Sequence, residues 1–129
     1  MPYTLEVCVD STASALAAMQ GGAHRLELCA DLVIGGTGVL TPEGDLDVEA
    51  LQPIYAAARA AAQRAGRPVA CTLHRAFDVC RDPFAALEAA RALGLSTILT
   101  SGQAPSAPEG AALLRRLVEA AGPELEILV

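Results

Sequence analysis

The sequence contains no tryptophan and no lysine, and aromatic residues make up only 3% of it. Stacking on nucleobases or sugars is therefore not an expected mode of recognition. Every basic residue is arginine, and 9 of them stand against 15 Asp and Glu, for a formal net charge of -6. An acidic chain without a basic run argues against nucleic acid and against an anionic membrane surface, since both demand clustered positive charge. No apolar stretch approaches the roughly 18 to 20 residues of a membrane span. Nor does Met1–Glu6 carry the basic stretch and apolar run of a signal peptide. The expected compartment is the cytoplasm, where Cys8, Cys29, Cys71 and Cys80 would be free thiols rather than disulfides. CxxC repeats, HExxH, a P-loop and a serine nucleophile elbow are all missing.

What is present is a chain of 129 residues, 53% hydrophobic and 19% charged. That is enough for a single globular domain, 1–129, with one core. A pattern recurs along it: an Ala-rich apolar run, a glycine, then a short β-favouring segment. It runs through Gly21-Gly22 into Arg25–Cys29, through Gly66 into Val69–His74, through Gly94 into Thr97–Thr100, and through Gly122 into Leu125–Val129. Glycine just past a helix end closes it in the left-handed conformation. Helices alternating with strands at this spacing predict βα units on a parallel sheet, the α/β class. The pattern predicts helices near 12–21, 47–65, 83–93 and 108–121, and strands near 5–10, 25–30, 69–75, 97–101 and 125–129. Ser11 and Asp82-Pro83 supply helix-start signals. Segment 31–46 breaks the rhythm; it reads as a long connection with room for a short extra strand. Its Gly35-Gly36-Thr37-Gly38 leads into turn residues and not into a helix, so it is not a dinucleotide fingerprint.

Strands covered by helices on both faces read as unbroken apolar runs. These alternate instead. One face collects Glu6, Cys8, Arg25, Glu27, Cys29, Thr72 and His74, while the other takes Val7, Val9, Leu26, Leu28, Cys71 and Leu73. Two readings fit that polar face: an internal ion network with cysteines as small core fillers, or a shared functional site at the carboxyl ends of the strands. Cys8 and Cys29 fall in the carboxyl-terminal halves of neighbouring strands, about 4.8 Å apart if paired. Two thiolates are too few for structural zinc, and their softness suits Cu(I). His74-Arg75 at a strand end offers a general base beside an anion holder. Thr100-Ser101-Gly102, at the next strand end, adds hydroxyls and a backbone donor. The candidate catalytic residues are thus Glu6, Arg25, Glu27, His74 and Arg75, and the candidate metal ligands are Cys8 and Cys29.

Along these same motifs the chain resembles the CutC copper-homeostasis family. The matching stretches are Glu6–Ser11, Gly21–Cys29, Gly38–Leu40 with Gly44–Asp47, His74–Asp78 and Ile98–Gly102. The resemblance implies a TIM barrel concerned with cellular copper, with Cu(I) held at Cys8 and Cys29. It also implies a shortened chain. The third βα unit is missing at a junction near 37–38, and Val129 falls within the family's seventh strand, so about five strands of a barrel of about 250 residues are expected. Open sheet edges would then favour a homo-oligomer. The leading expectation is a cytosolic protein that binds Cu(I) without catalysis. The alternatives are an enzyme acting on a small anionic or carbonyl-containing molecule, and an inactive fragment.

Overall fold

Glu6–Val9 (β1), Arg25–Leu28 (β2), Ala70–Leu73 (β3), Thr97–Leu99 (β4) and Glu126–Leu128 (β5) lie side by side in chain order in one fully parallel sheet. The structure, a computed structural model, describes residues 3–9, 11–28, 39–66 and 68–129. Between the strands run Thr12–Gln20 (α1), Val48–Ala65 (α2), Pro83–Leu93 (α3) and Ala111–Ala121 (α4). Consecutive helices pack on one another in sequence order, as expected when each crossover carries one helix to the next strand. None of the described helices is long and apolar enough to cross a membrane.

The helix starts follow from local chemistry. Ser11 Oγ accepts from Ser14 N–H at 3.2 Å while Ser14 Oγ accepts from Ser11 N–H at 3.0 Å, a reciprocal cap in which serine replaces the usual glutamate. Asp82 accepts from Phe84 and Ala85 N–H, with Pro83 as first helical residue. The predicted glycine closures hold for α2 and α3, where Gly66 and Gly94 are left-handed. α4 begins three residues later than the expected 108, because Gly110 is pressed against the backbone of Ser101 and Gly102 and forms the cap.

Two local differences from the sequence expectation bear on function. The strand expected over 69–75 ends at Leu73, and Arg75–Val79 forms a 3-10 helix instead. His74 sets that break: its Nδ1 accepts from Ala76 N–H at 3.2 Å and turns the chain. In the connection 31–46, residues 31–38 lie outside the described residues, and Leu40 makes an isolated antiparallel bridge to Leu46. The bidentate pair of Arg81 with Asp45 fastens this turn to the start of α3.

The core lies between the sheet and the helices. Val9, Leu26, Leu73, Phe77, Ile98 and Leu117 are almost fully excluded from solvent. Cys71, expected to point at a helix, belongs to this core. Val9, Leu26, Cys71 and Leu73 are buried as the alternation expects, while Thr72 on the opposite face is buried as well.

Candidate functional site

The register fixes what the polar face presents. Cys8, Glu27, Thr72, Thr97 and Glu126 occupy one row across all five strands, and Glu6, Arg25 and Ala70 form the next row toward the amino-terminal end. Arg25 spans this face. Its Nη1 lies 3.3 Å from Glu6 Oε2 and its Nη2 3.8 Å from Glu126 Oε2. Two strands separate β2 from β5, about 14 Å in a flat sheet. The two long side chains meet across β3 and β4, on the face that carries the buried Thr72 and Thr97. Thr72 Oγ1 and Arg25 Nε are buried without a hydrogen-bond partner among the described residues. Glu126 was not singled out by sequence reasoning; it fell within the apolar run Leu125–Val129, which reads as plain strand.

Cys8 is exposed, on the carboxyl-terminal half of β1. Its register partner on β2 is Glu27, not Cys29. Cys29 follows β2 directly and lies outside the described residues, as does the side chain of Glu27. Among the described residues no three His, Cys, Asp or Glu side chains come together to hold a metal ion. Cys71 and Cys80 are buried, and burial pushes each thiol up to about 11. Neither supplies a thiolate at neutral pH.

A second constellation forms at the carboxyl ends of β3 and β4. Asp78, on the 3-10 helix, reaches under the loop that follows β4. It accepts hydrogen bonds from the Thr100 hydroxyl, from Ser101 N–H at 3.1 Å and from Gln103 N–H at 3.1 Å. Arg75 Nε donates to Asp78 Oδ2 at 3.0 Å, and its Nη2 donates to Ser101 Oγ at 2.6 Å. Burial alone would raise the Asp78 pKa, but these donors outweigh it and hold the carboxyl below its ordinary value. Gln103 Nε2 donates to Cys80 O at 2.9 Å, tying the same loop to the end of the 3-10 helix. Of these residues the sequence pointed to Arg75, Thr100 and Ser101; Asp78 and Gln103 went unassigned. The Arg75–Asp78 spacing of three is the one signal that would have placed both on one face of a short helix.

His74 lies at the hinge between β3 and the 3-10 helix and is half-buried. Because its Nδ1 accepts a backbone N–H, the neutral ring carries its proton on Nε2. The lone pair a general base requires is already engaged. A groove of about 570 Å³ beside α2, lined by Tyr55, Arg59 and Gln63, lies at the amino-terminal end of β3. That is the opposite end from Arg75 and Ser101, and ligands of parallel sheets gather at the carboxyl end.

Comparison with known proteins follows the same outline. A profile described as the CutC family matches residues 3–38 and residues 36–129. A family protein CutC of Chromobacterium violaceum is 37% identical over 184 positions, covering 99% of this chain and 71% of that protein. The copper homeostasis protein cutC homolog of Homo sapiens is 32% identical over 175 positions, covering 92% of this chain and 61% of that one. The 184-position alignment is longer than the 129-residue chain, so the relative contains a substantial stretch with no counterpart here. The two family matches meet at 36–38. The crystal structure of the putative copper homeostasis protein CutC from Streptococcus agalactiae superposes with a TM-score of 0.59 at 18% identity, over 97% of this chain and 86% of that one. A rubisco-like protein from Burkholderia fungorum gives a TM-score of 0.65 at 12% identity, over 96% and 30% of the two chains. At such identities the two structures bear on the fold alone, and that fold is a partial α/β barrel.

Proposed function

Because this chain belongs to the CutC family, we propose that it is a copper-homeostasis protein of the cytoplasm that takes Cu(I) as cargo on the thiolates of Cys8 and Cys29. One observation carries the reading: of the described cysteines, Cys8 alone is exposed, and it sits on the polar face at the carboxyl-terminal half of its strand. The name of the human relative points the same way. Soft, two-coordinate thiolate donors suit Cu(I) and fall short of the four ligands zinc prefers. Cys71 and Cys80 are unsuited, being buried thiols whose pKa lies well above neutral. In this reading the chain binds and hands on the ion without catalysing a reaction.

The test is Cu(I) uptake by the anaerobic, reduced protein against a competing chelator. About one Cu(I) per chain is expected. Cys8→Ala and Cys29→Ala should each abolish most of the uptake, whereas Cys71→Ala and Cys80→Ala should leave it intact. Equal uptake by all four variants would mean adventitious thiol chemistry and would overturn the assignment.

A further inference from the structure

We propose that Arg75 and His74, at the carboxyl end of β3, form a donor site for the oxyanion of a small molecule, a carboxylate or a phosphate, that uses no thiolate. The argument begins with how Arg75 is held. Two of its three nitrogens are engaged within the protein, Nε by Asp78 at 3.0 Å and Nη2 by Ser101 Oγ at 2.6 Å. Nη1 has no partner among the described residues, and the side chain is 51% exposed. A guanidinium fixed along one edge, with the other edge toward solvent, is preorganised for the planar, two-point recognition of an oxyanion. The rotamer entropy an arginine ordinarily loses on binding is already lost here in folding.

The support beneath it is rigid for an identifiable reason. Asp78 is itself held by Thr100, Ser101 N–H and Gln103 N–H. Those donors fix the carboxylate in place, and with it the edge of Arg75 that it holds. Ser101 Oγ has acceptors for its own proton in Ala104 O at 2.6 Å and Asp78 Oδ2 at 3.0 Å, so its oxygen accepts from Arg75. The next residue back adds a second donor. With Nδ1 of His74 accepting from Ala76 N–H, Nε2 bears hydrogen in the neutral and the cationic ring alike. The two adjacent positions thus each carry an N–H that no described residue engages, which suits an anionic ligand. A purely structural arginine, serving only to pin the loop after β4, would give no such fit.

The chain's two histidines permit a test with an internal control. His24 lies at the opposite, amino-terminal end of β2, where its Nδ1 accepts from Leu5 N–H at 3.1 Å. Inorganic phosphate and malonate are titrated separately into the full chain at fixed ionic strength and pH, following the imidazole proton resonances of both rings. The expected result is a saturable shift of the His74 signal with one of the two anions, at a Kd of about 1 mM or tighter, with His24 unmoved. Saturation by phosphate assigns a phosphorylated ligand; saturation by malonate assigns a carboxylate. Arg75→Gln should weaken the binding at least about tenfold, and Arg75→Lys, which keeps the charge without the fork, should also weaken it. No saturable shift with either anion, equal movement of both histidines, or undiminished binding in the folded Arg75→Lys protein would overturn the proposal. The contrast between His74 and His24 requires no variant, so an unstable substitution leaves the test intact.

Discussion

Asp78 is the residue on which the carboxyl end of the sheet depends. Its carboxylate is mostly buried and joins the 3-10 helix after β3 to the loop after β4 through three donor residues, Thr100, Ser101 and Gln103, with Arg75 of its own helix as a fourth donor. Asp78→Asn keeps the shape but places an amide donor against N–H groups that need an acceptor, and should cost about 1–3 kcal/mol in denaturant unfolding. The effect has a defined pH sense. The folded pKa lies below the unfolded one, so the stabilisation is present above the ordinary carboxylate value of about 4 and is lost as pH falls through the depressed folded value. The wild-type chain should therefore lose stability through that acid range, and Asp78→Asn should flatten that part of the profile. Identical acid profiles for the two proteins would mean the carboxylate is not the group responsible.

At the level of elements, the loop from β4 to α4 is shaped by two glycines in backbone contact. Gly102 has φ of 74°, and a Cβ there would meet the backbone of Gly110. Gly102→Ala thus combines a left-handed strain with a collision that no side-chain movement can relieve. Gly66, the left-handed cap of α2, has open space where its Cβ would go. Gly66→Ala should cost about 1 kcal/mol, and Gly102→Ala about 2 kcal/mol or more, as read from the shift in unfolding midpoint. Comparable losses at the two sites would show that the Gly110 approach contributes nothing. The existence of these elements was legible because each depends on near neighbours: Ser11 on Ser14, Asp82 on Phe84, Gly94 on the last turn of α3. The 3-10 helix at Arg75–Val79 was not: His74 starts it locally, but the contacts of Asp78 that hold it reach residues more than twenty positions away.

Taken as a whole molecule, the sheet has two edges. Among the described residues β1 and β5 each pair with a single neighbour, whereas a closed barrel leaves no strand unpaired. Unpaired parallel edges invite pairing with a second chain, and Leu5, Leu128 and Val129 add exposed apolar surface beside them. The isolated chain is expected to sediment as a concentration-dependent dimer or to be poorly soluble. A monomer that persists at high concentration, with high stability, would contradict this. The shortening relative to the family sharpens the point, because relatives carry additional chain within the span that this protein matches.

Fold class and the order of elements were legible in the residue pattern alone, and so was the inward face of β3. Alternation at period two and glycine closure are local properties, and burial then follows them: Cys71 and Leu73 inward to the helices, Thr72 to the other face. The pattern also identified Arg25, His74 and Arg75 as unusual residues. Where those residues stand relative to their partners came from tertiary contacts. Register set Glu27 beside Cys8, and the parallel stacking of the strands brought Glu126 of β5 within 3.8 Å of Arg25 of β2. The turn after β3 put Asp78 beneath Ser101, and a single backbone N–H fixed the proton of His74 on its far nitrogen. All but the last, which spans two residues, depend on distances between segments remote in the chain, which one-dimensional spacing does not encode.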